Sequence, residues 1–136
     1  MIREALEELI LGVDDCCAAV LIAPDGVAVD SIVVDERVDS ELLAAGAADL
    51  MSRSDRFAAE SGSASVDVLI MATHTLTYLV RPIVSGYRLL TVVGPDSHVV
   101  SARRALSRTA SVLEDELELD ESAPSPGVDP GPGATV

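Results

Sequence analysis

Hydrophobic positions recur along the chain in two patterns, and each pattern indicates one kind of element. Ile2, Leu6, Leu9 and Ile10 follow the three-to-four-residue spacing of an amphipathic helix, with glutamates between them. Apolar runs of strand length bounded by turn residues are typical of buried strands. The chain therefore predicts helices over 2–12, over 40–60 and from the Pro95-Asp96-Ser97 segment to about 118, and strands over 16–23, 27–34, 66–73, 76–83 and 87–94.

Turn-forming residues separate these elements. Pro24-Asp25-Gly26 predicts a hairpin turn, and Asp39 or Ser40 can cap the helix 40–60. The connections at 74–75 and 84–86 are so short that the last three strands must be antiparallel.

Five antiparallel strands with helices before, between and after them predict an α+β fold, in the order α-β-β-α-β-β-β-α. We expect the first and last helices to cover one face of the sheet and the middle helix to cover the other. One helix is too narrow for five strands, and an apolar strand at a sheet edge invites aggregation. The sequence thus predicts a homodimer with a continuous sheet and side-by-side middle helices, whose interface is expected at Val66, Val68, Leu69, Ile70 and Met71 on the strand and at Ala44 and Ala48 on the helix.

Composition and charge narrow the class of protein. The 136 residues are 49% hydrophobic, which suits one domain over residues 1–117, and residues 118–136 are acidic and rich in proline and glycine, which predicts a disordered tail. The net charge of −14 argues against binding to nucleic acid or anionic lipid. The chain shows neither a signal peptide nor an apolar run of membrane-spanning length, so we expect a cytoplasmic protein.

Residues that could carry chemistry do not form a recognisable catalytic group. Cys16 and Cys17 lie in a predicted strand without a partner base nearby in the sequence, so core packing is the favoured interpretation. His74 and His98 lack the spaced ligands of a metal site, and the glycines do not form a phosphate-binding loop. We therefore expect no catalytic residue, no metal and no cofactor, and a protein that acts by binding.

The segment order and several local patterns resemble the roadblock / dynein light chain family over residues 1 to about 117. These patterns are Ala19-Val20-Leu21-Ile22 before the hairpin turn, the alanine-rich helix 40–60, the turn at Ser85-Gly86, and Leu89-Leu90-Thr91-Val92-Val93 leading into a helix with Arg103 and Arg104. Members of this family form homodimers or heterodimers, and they regulate small Ras-like GTPases or act as adaptors.

The resemblance implies a dimer that presents its paired middle helices to one GTPase. The residues expected to contact this partner are Glu41, Ala45, Asp49, Ser52, Arg53 and Arg56. Three functions remain open at this stage: a GTPase-activating protein, a non-catalytic scaffold that pairs with other roadblock proteins, and a small-molecule-sensing domain. Arg53 or Arg56 could act as an arginine finger, although surface pairing with Asp49 or Glu60 is the plainer interpretation.

Overall fold

The computed structural model describes residues 1–95 and 98–122 of the chain. Within these residues it contains three α-helices, five strands and one short 3-10 turn at Val84–Gly86. The helices and strands are α1 Ile2–Gly12, β1 Cys16–Ile22, β2 Ala28–Val33, α2 Ser40–Glu60, β3 Leu69–Ala72, β4 Thr77–Pro82, β5 Arg88–Val93 and α3 Val99–Ser122.

The strands form one antiparallel sheet in the order β2-β1-β5-β4-β3. β1 and β5 lie at its centre, and this position explains why nearly all of their residues are buried: both faces of a central strand are covered. β2 and β3 are the two edges. The predicted α+β fold with five antiparallel strands is confirmed.

Each face of the sheet has its own hydrophobic core. Leu6 of α1 and Leu106 of α3 pack against Leu79 and Leu89 on one face. Ala47 and Met51 of α2 pack against the other face. The predicted division of the helices, two on one face and one on the other, is therefore confirmed.

Local interactions fix where α2 begins. The Asp39 carboxylate accepts hydrogen bonds from the backbone N–H of Glu41, at 3.0 Å, and of Leu42, at 3.3 Å. These bonds satisfy donors that the first helical turn leaves unpaired. Upstream, Gly26 has a φ of 88°, a conformation that favours glycine and that closes the β1–β2 hairpin.

Most predicted strands end within one residue of the observed bounds, and two segments, β3 and α3, differ by more. Strand β3 covers only Leu69–Ala72 instead of 66–73, because the N–H of Val66 donates to the Asp55 carboxylate of α2 at 2.9 Å and residues 66–68 stay outside the sheet ladder. Helix α3 continues to Ser122, beyond its predicted end at about 118. The rest of the predicted tail, residues 123–136, lies outside the described residues.

Candidate docking and dimerisation surfaces

Helix α2 presents a continuous polar face to solvent. The six side chains predicted to contact a partner share this face, and all six are exposed: Glu41, Ala45, Asp49, Ser52, Arg53 and Arg56. The structure brings them together because they repeat at three-to-four-residue steps on one helix, whose opposite side is buried against the sheet.

The charges of this face differ in how they are held. The Arg53 Nε lies 3.1 Å from the Asp49 carboxylate in an i,i+4 ion pair. Arg56 makes no ion pair with any residue in the described part of the chain. The structure thus shows the Arg53–Asp49 pair that the sequence favours. Arg56 is the less constrained of the two arginines.

A second surface of α2 is apolar. Leu42 and Leu50 lie on the flank of the helix that faces β3 and β4, and they are 72% and 40% exposed. Together with Leu69 and Met71 of β3 and Tyr78 of β4 they line a groove of about 220 Å³. The groove exists because α2 packs mainly over β1 and β2 and leaves the β4–β3 side of the sheet uncovered.

The groove adjoins an unpaired sheet edge. Over residues 1–95 and 98–122, β3 bonds only to β4, so its outer backbone groups have no strand partner there. Ile70 and Met71 on this strand are 38% and 39% exposed. An exposed edge strand with apolar side chains is a template for pairing with another strand.

The residues of the predicted dimer interface differ in how deeply the structure buries them. Ala44 is completely buried against the sheet of its own chain, so it cannot contact a second copy. Ala48 faces the hairpin turn, where an added Cβ on Gly26 would lie 3.4 Å from the Ala48 Cβ. Val66 and Val68 precede β3 and are half-buried in the two cores, whereas Leu69, Ile70 and Met71 lie on the edge strand as predicted.

The spacing of residues in the sequence places Ala47, Leu50 and Phe57 on one face of α2, opposite the six predicted contact residues. The predicted dimer interface does not include Leu42. The structure leaves Phe57 73% exposed. One signal in the sequence could have revealed this: apolar residues cover more of the helix circumference than one sheet contact can bury. Such a wide apolar stripe indicates two contacts instead of one.

The cysteines lie in the sheet as packing residues. Cys16 is buried, its Sγ lies 3.2 Å from the Thr91 hydroxyl, and burial raises the pKa of its thiol. Burial also raises the pKa of the half-buried Cys17, and the charges of Asp15 and Asp35 add to the effect. A raised pKa lowers the fraction of reactive thiolate at neutral pH.

His74 and His98 are both exposed. Over residues 1–95 and 98–122, no group of three His, Cys, Asp or Glu side chains is arranged to hold a metal ion. No described helix combines the length and the apolar character needed to cross a bilayer.

Comparison with known proteins places this architecture among solved structures. No family model matches the sequence, and no curated protein matches it. The Roadblock/LC7 domain from Streptomyces avermitilis superposes with a TM-score of 0.78 at 18% identity, over 85% of this chain and 96% of that one. MglB from Myxococcus xanthus gives 0.78 at 14% identity over 86% and 87% of the two chains, and the gliding protein MglB from Thermus thermophilus gives 0.77 at 16% identity over 84% and 86%.

These superpositions cover most of both chains. They identify the class of fold: the chain adopts the Roadblock/LC7 fold. Two of these three structures are MglB proteins, one of which is described as a gliding protein.

Proposed function

We propose that this protein is a homodimeric regulator of a small Ras-like GTPase, which it binds through the polar faces of two paired α2 helices. The observation that carries the proposal is the division of α2 into two exposed surfaces. One is an apolar flank beside the uncovered groove and the β3 edge, and the other is an exposed polar face, on which Glu41 and Ala45 lie beside β2.

The apolar flank supports the dimer. A second copy related by a two-fold axis at the β3 edge would pair the two strands into one continuous sheet. Its apolar side chains would fill the groove and remove Leu42 and Leu50 from water. Pairing would also satisfy the outer N–H and C=O groups of β3.

The polar face supports the second contact. After dimerisation the exposed residues of both α2 helices would lie on the same side of the sheet, where one partner could contact both. Arg56 is the residue of this face best suited to a partner carboxylate, because it is exposed and makes no ion pair with the described residues of its own chain. The fold shared with MglB proteins is consistent with a regulatory function of this kind.

The first test is binding. The full chain should bind one nucleotide state of a candidate Ras-like GTPase more tightly than the other, because a regulator must distinguish the two states to shift them. Ser52→Arg on the polar face should abolish binding, and Glu7→Arg on the exposed face of α1 should preserve it as a control in the opposite layer. Equal binding by both variants would place the contact elsewhere.

The second test separates an activator from an adaptor. Single-turnover GTP hydrolysis should be measured with the GTPase alone and with saturating protein. Acceleration identifies an activator, and binding without acceleration identifies an adaptor. If Arg53 or Arg56 supplies charge to the transition state, its replacement by alanine should lower the accelerated rate by about 10³-fold or more. Unchanged acceleration in both variants would show that the GTPase provides its own catalytic groups.

A further inference from the structure

Charged residues on the solvent-facing side of α3 follow a symmetric order. Arg104 and Arg108 lie seven and three positions before Ser111, and Glu114 and Glu118 lie three and seven positions after it. Steps of three and four residues keep all five on one side of the helix. Glu114 is half-buried and the other four are exposed. The N-terminal half of this stripe is basic and the C-terminal half is acidic.

This order brings no benefit within a single chain. Arg104 and Arg108 are i,i+4 neighbours of like charge, and so are Glu114 and Glu118, and such pairs destabilise a helix. None of the four forms an ion pair with a residue in the described ranges, where the pairs involve other side chains. A charge arrangement that costs stability locally is expected where a partner compensates for it.

An antiparallel copy of the same helix compensates for all four charges. With a two-fold axis at Ser111, Arg104 of each copy faces Glu118 of the other, and Arg108 faces Glu114. Because the contact is isologous, every pair occurs twice. The side chain at the centre of this helix pair is small and stays close to its own helix, since the Ser111 hydroxyl donates to the Ser107 carbonyl at 3.3 Å. Small side chains at the crossing allow the 8–10 Å axis separation of packed helices.

We propose that the exposed face of α3 binds the same face of a second copy, antiparallel and centred on Ser111. The occupant is a second copy because its own sequence supplies the complementary charges in the matching register. α3 covers the face of the sheet opposite α2, so this contact leaves the apolar groove free, and Arg104 and Arg108 line a cavity together with Ile70 of the β3 edge. The α3 contact would join two β3-linked dimers, and it does not depend on the GTPase proposal.

Charge exchange provides the test. Arg104→Glu with Arg108→Glu makes the whole stripe acidic, and Glu114→Arg with Glu118→Arg makes it basic. Each variant of the full chain should self-associate through α3 about tenfold or more weakly, because like charges then face each other. An equimolar mixture of the two should restore association, since every facing pair is again opposite in sign. Sedimentation velocity over a concentration series measures both effects.

Control variants separate this contact from general charge effects. Arg53→Glu with Arg56→Glu on α2 changes the net charge of the chain by the same amount as Arg104→Glu with Arg108→Glu. This control should leave association through α3 unchanged. Salt is a poor diagnostic, because it screens the repulsion between two chains of charge −14 together with the attraction between the helices. Circular dichroism of each variant confirms that the helices remain folded.

A cross-link tests the register. Ser111→Cys should form a disulfide with the same substituted position of a second copy under mild oxidation, since the two-fold axis brings this position to itself. Ser101→Cys, exposed on the same helix but ten positions away, should not do so. Leu42→Ala in the apolar groove identifies the association step at the β3 edge. The proposal is overturned if wild type shows no second association step, if charge reversal on α3 leaves the second step unchanged, or if the mixture fails to restore it. Association through α3 without association through the β3 edge would instead overturn the proposed dimer and leave the α3 contact standing.

Discussion

Leu42→Ala tests the proposed dimer with little disturbance of the single chain. Leu42 is 72% exposed and lines the apolar groove. Its truncation should therefore change the free energy of unfolding of the monomer by less than about 0.5 kcal/mol. In the dimer the same side chain would be covered, so the variant should weaken association while leaving the monomer folded.

The magnitude follows from the exposed fraction. Full burial of a leucine side chain stabilises by about 2 kcal/mol, so the 72% that is still exposed is worth about 1.5 kcal/mol once covered. Two-fold symmetry doubles this loss to about 3 kcal/mol, which corresponds to an increase of roughly 100-fold in the dissociation constant. Sedimentation velocity across a dilution series measures that constant, and urea unfolding of the diluted protein measures the monomer.

Leu11→Ala is the matched control. Leu11 is 86% exposed on a helix of the opposite layer, so it loses the same side chain at a site outside the groove. The control should dimerise like wild type. Equal dissociation constants for Leu42→Ala and Leu11→Ala would refute the placement of the dimer interface at the groove.

Three further predictions concern stability and titration. Met51→Ala should lower the free energy of unfolding by about 2–5 kcal/mol, because this side chain is completely buried between α2 and the sheet, whereas Ser52→Ala at an exposed position should leave it nearly unchanged in urea denaturation. Asp39→Ala should cost about 1 kcal/mol through the lost helix cap, and Asp39→Asn should retain most of it in the same assay. The Arg37 guanidinium donates a hydrogen bond of 2.7 Å to the Asp35 carboxylate and lowers the pKa of Asp35 to about 2. This pair therefore contributes its full stability at a pH above the ordinary carboxyl pKa of about 3.9, and the contribution is lost as the pH falls through about 2. Arg37→Ala should return the pKa of Asp35 toward its ordinary value in an NMR titration, and an unchanged pKa would contradict this cause.

The sequence by itself determined the elements and their layers. Helical periodicity placed α1 and α2 at the bounds that the structure has, because Gly12 ends the first pattern and Asp39 caps the start of the second helix. The apolar run 16–23 identified β1 as a strand covered on both faces, and short connections made the last strands antiparallel. These are local features, so neighbouring residues were sufficient to specify them.

Only the tertiary structure decided which apolar residues remain exposed. Periodicity assigned Ala47, Leu50 and Phe57 to one helix face, yet the sheet buries the first and leaves the other two in contact with water. The reason is the position of α2 over β1 and β2, which depends on a strand order that brings β1 beside β5, far along the chain. The length of β3 was likewise set at a distance, by the bond from Val66 to the Asp55 side chain of α2.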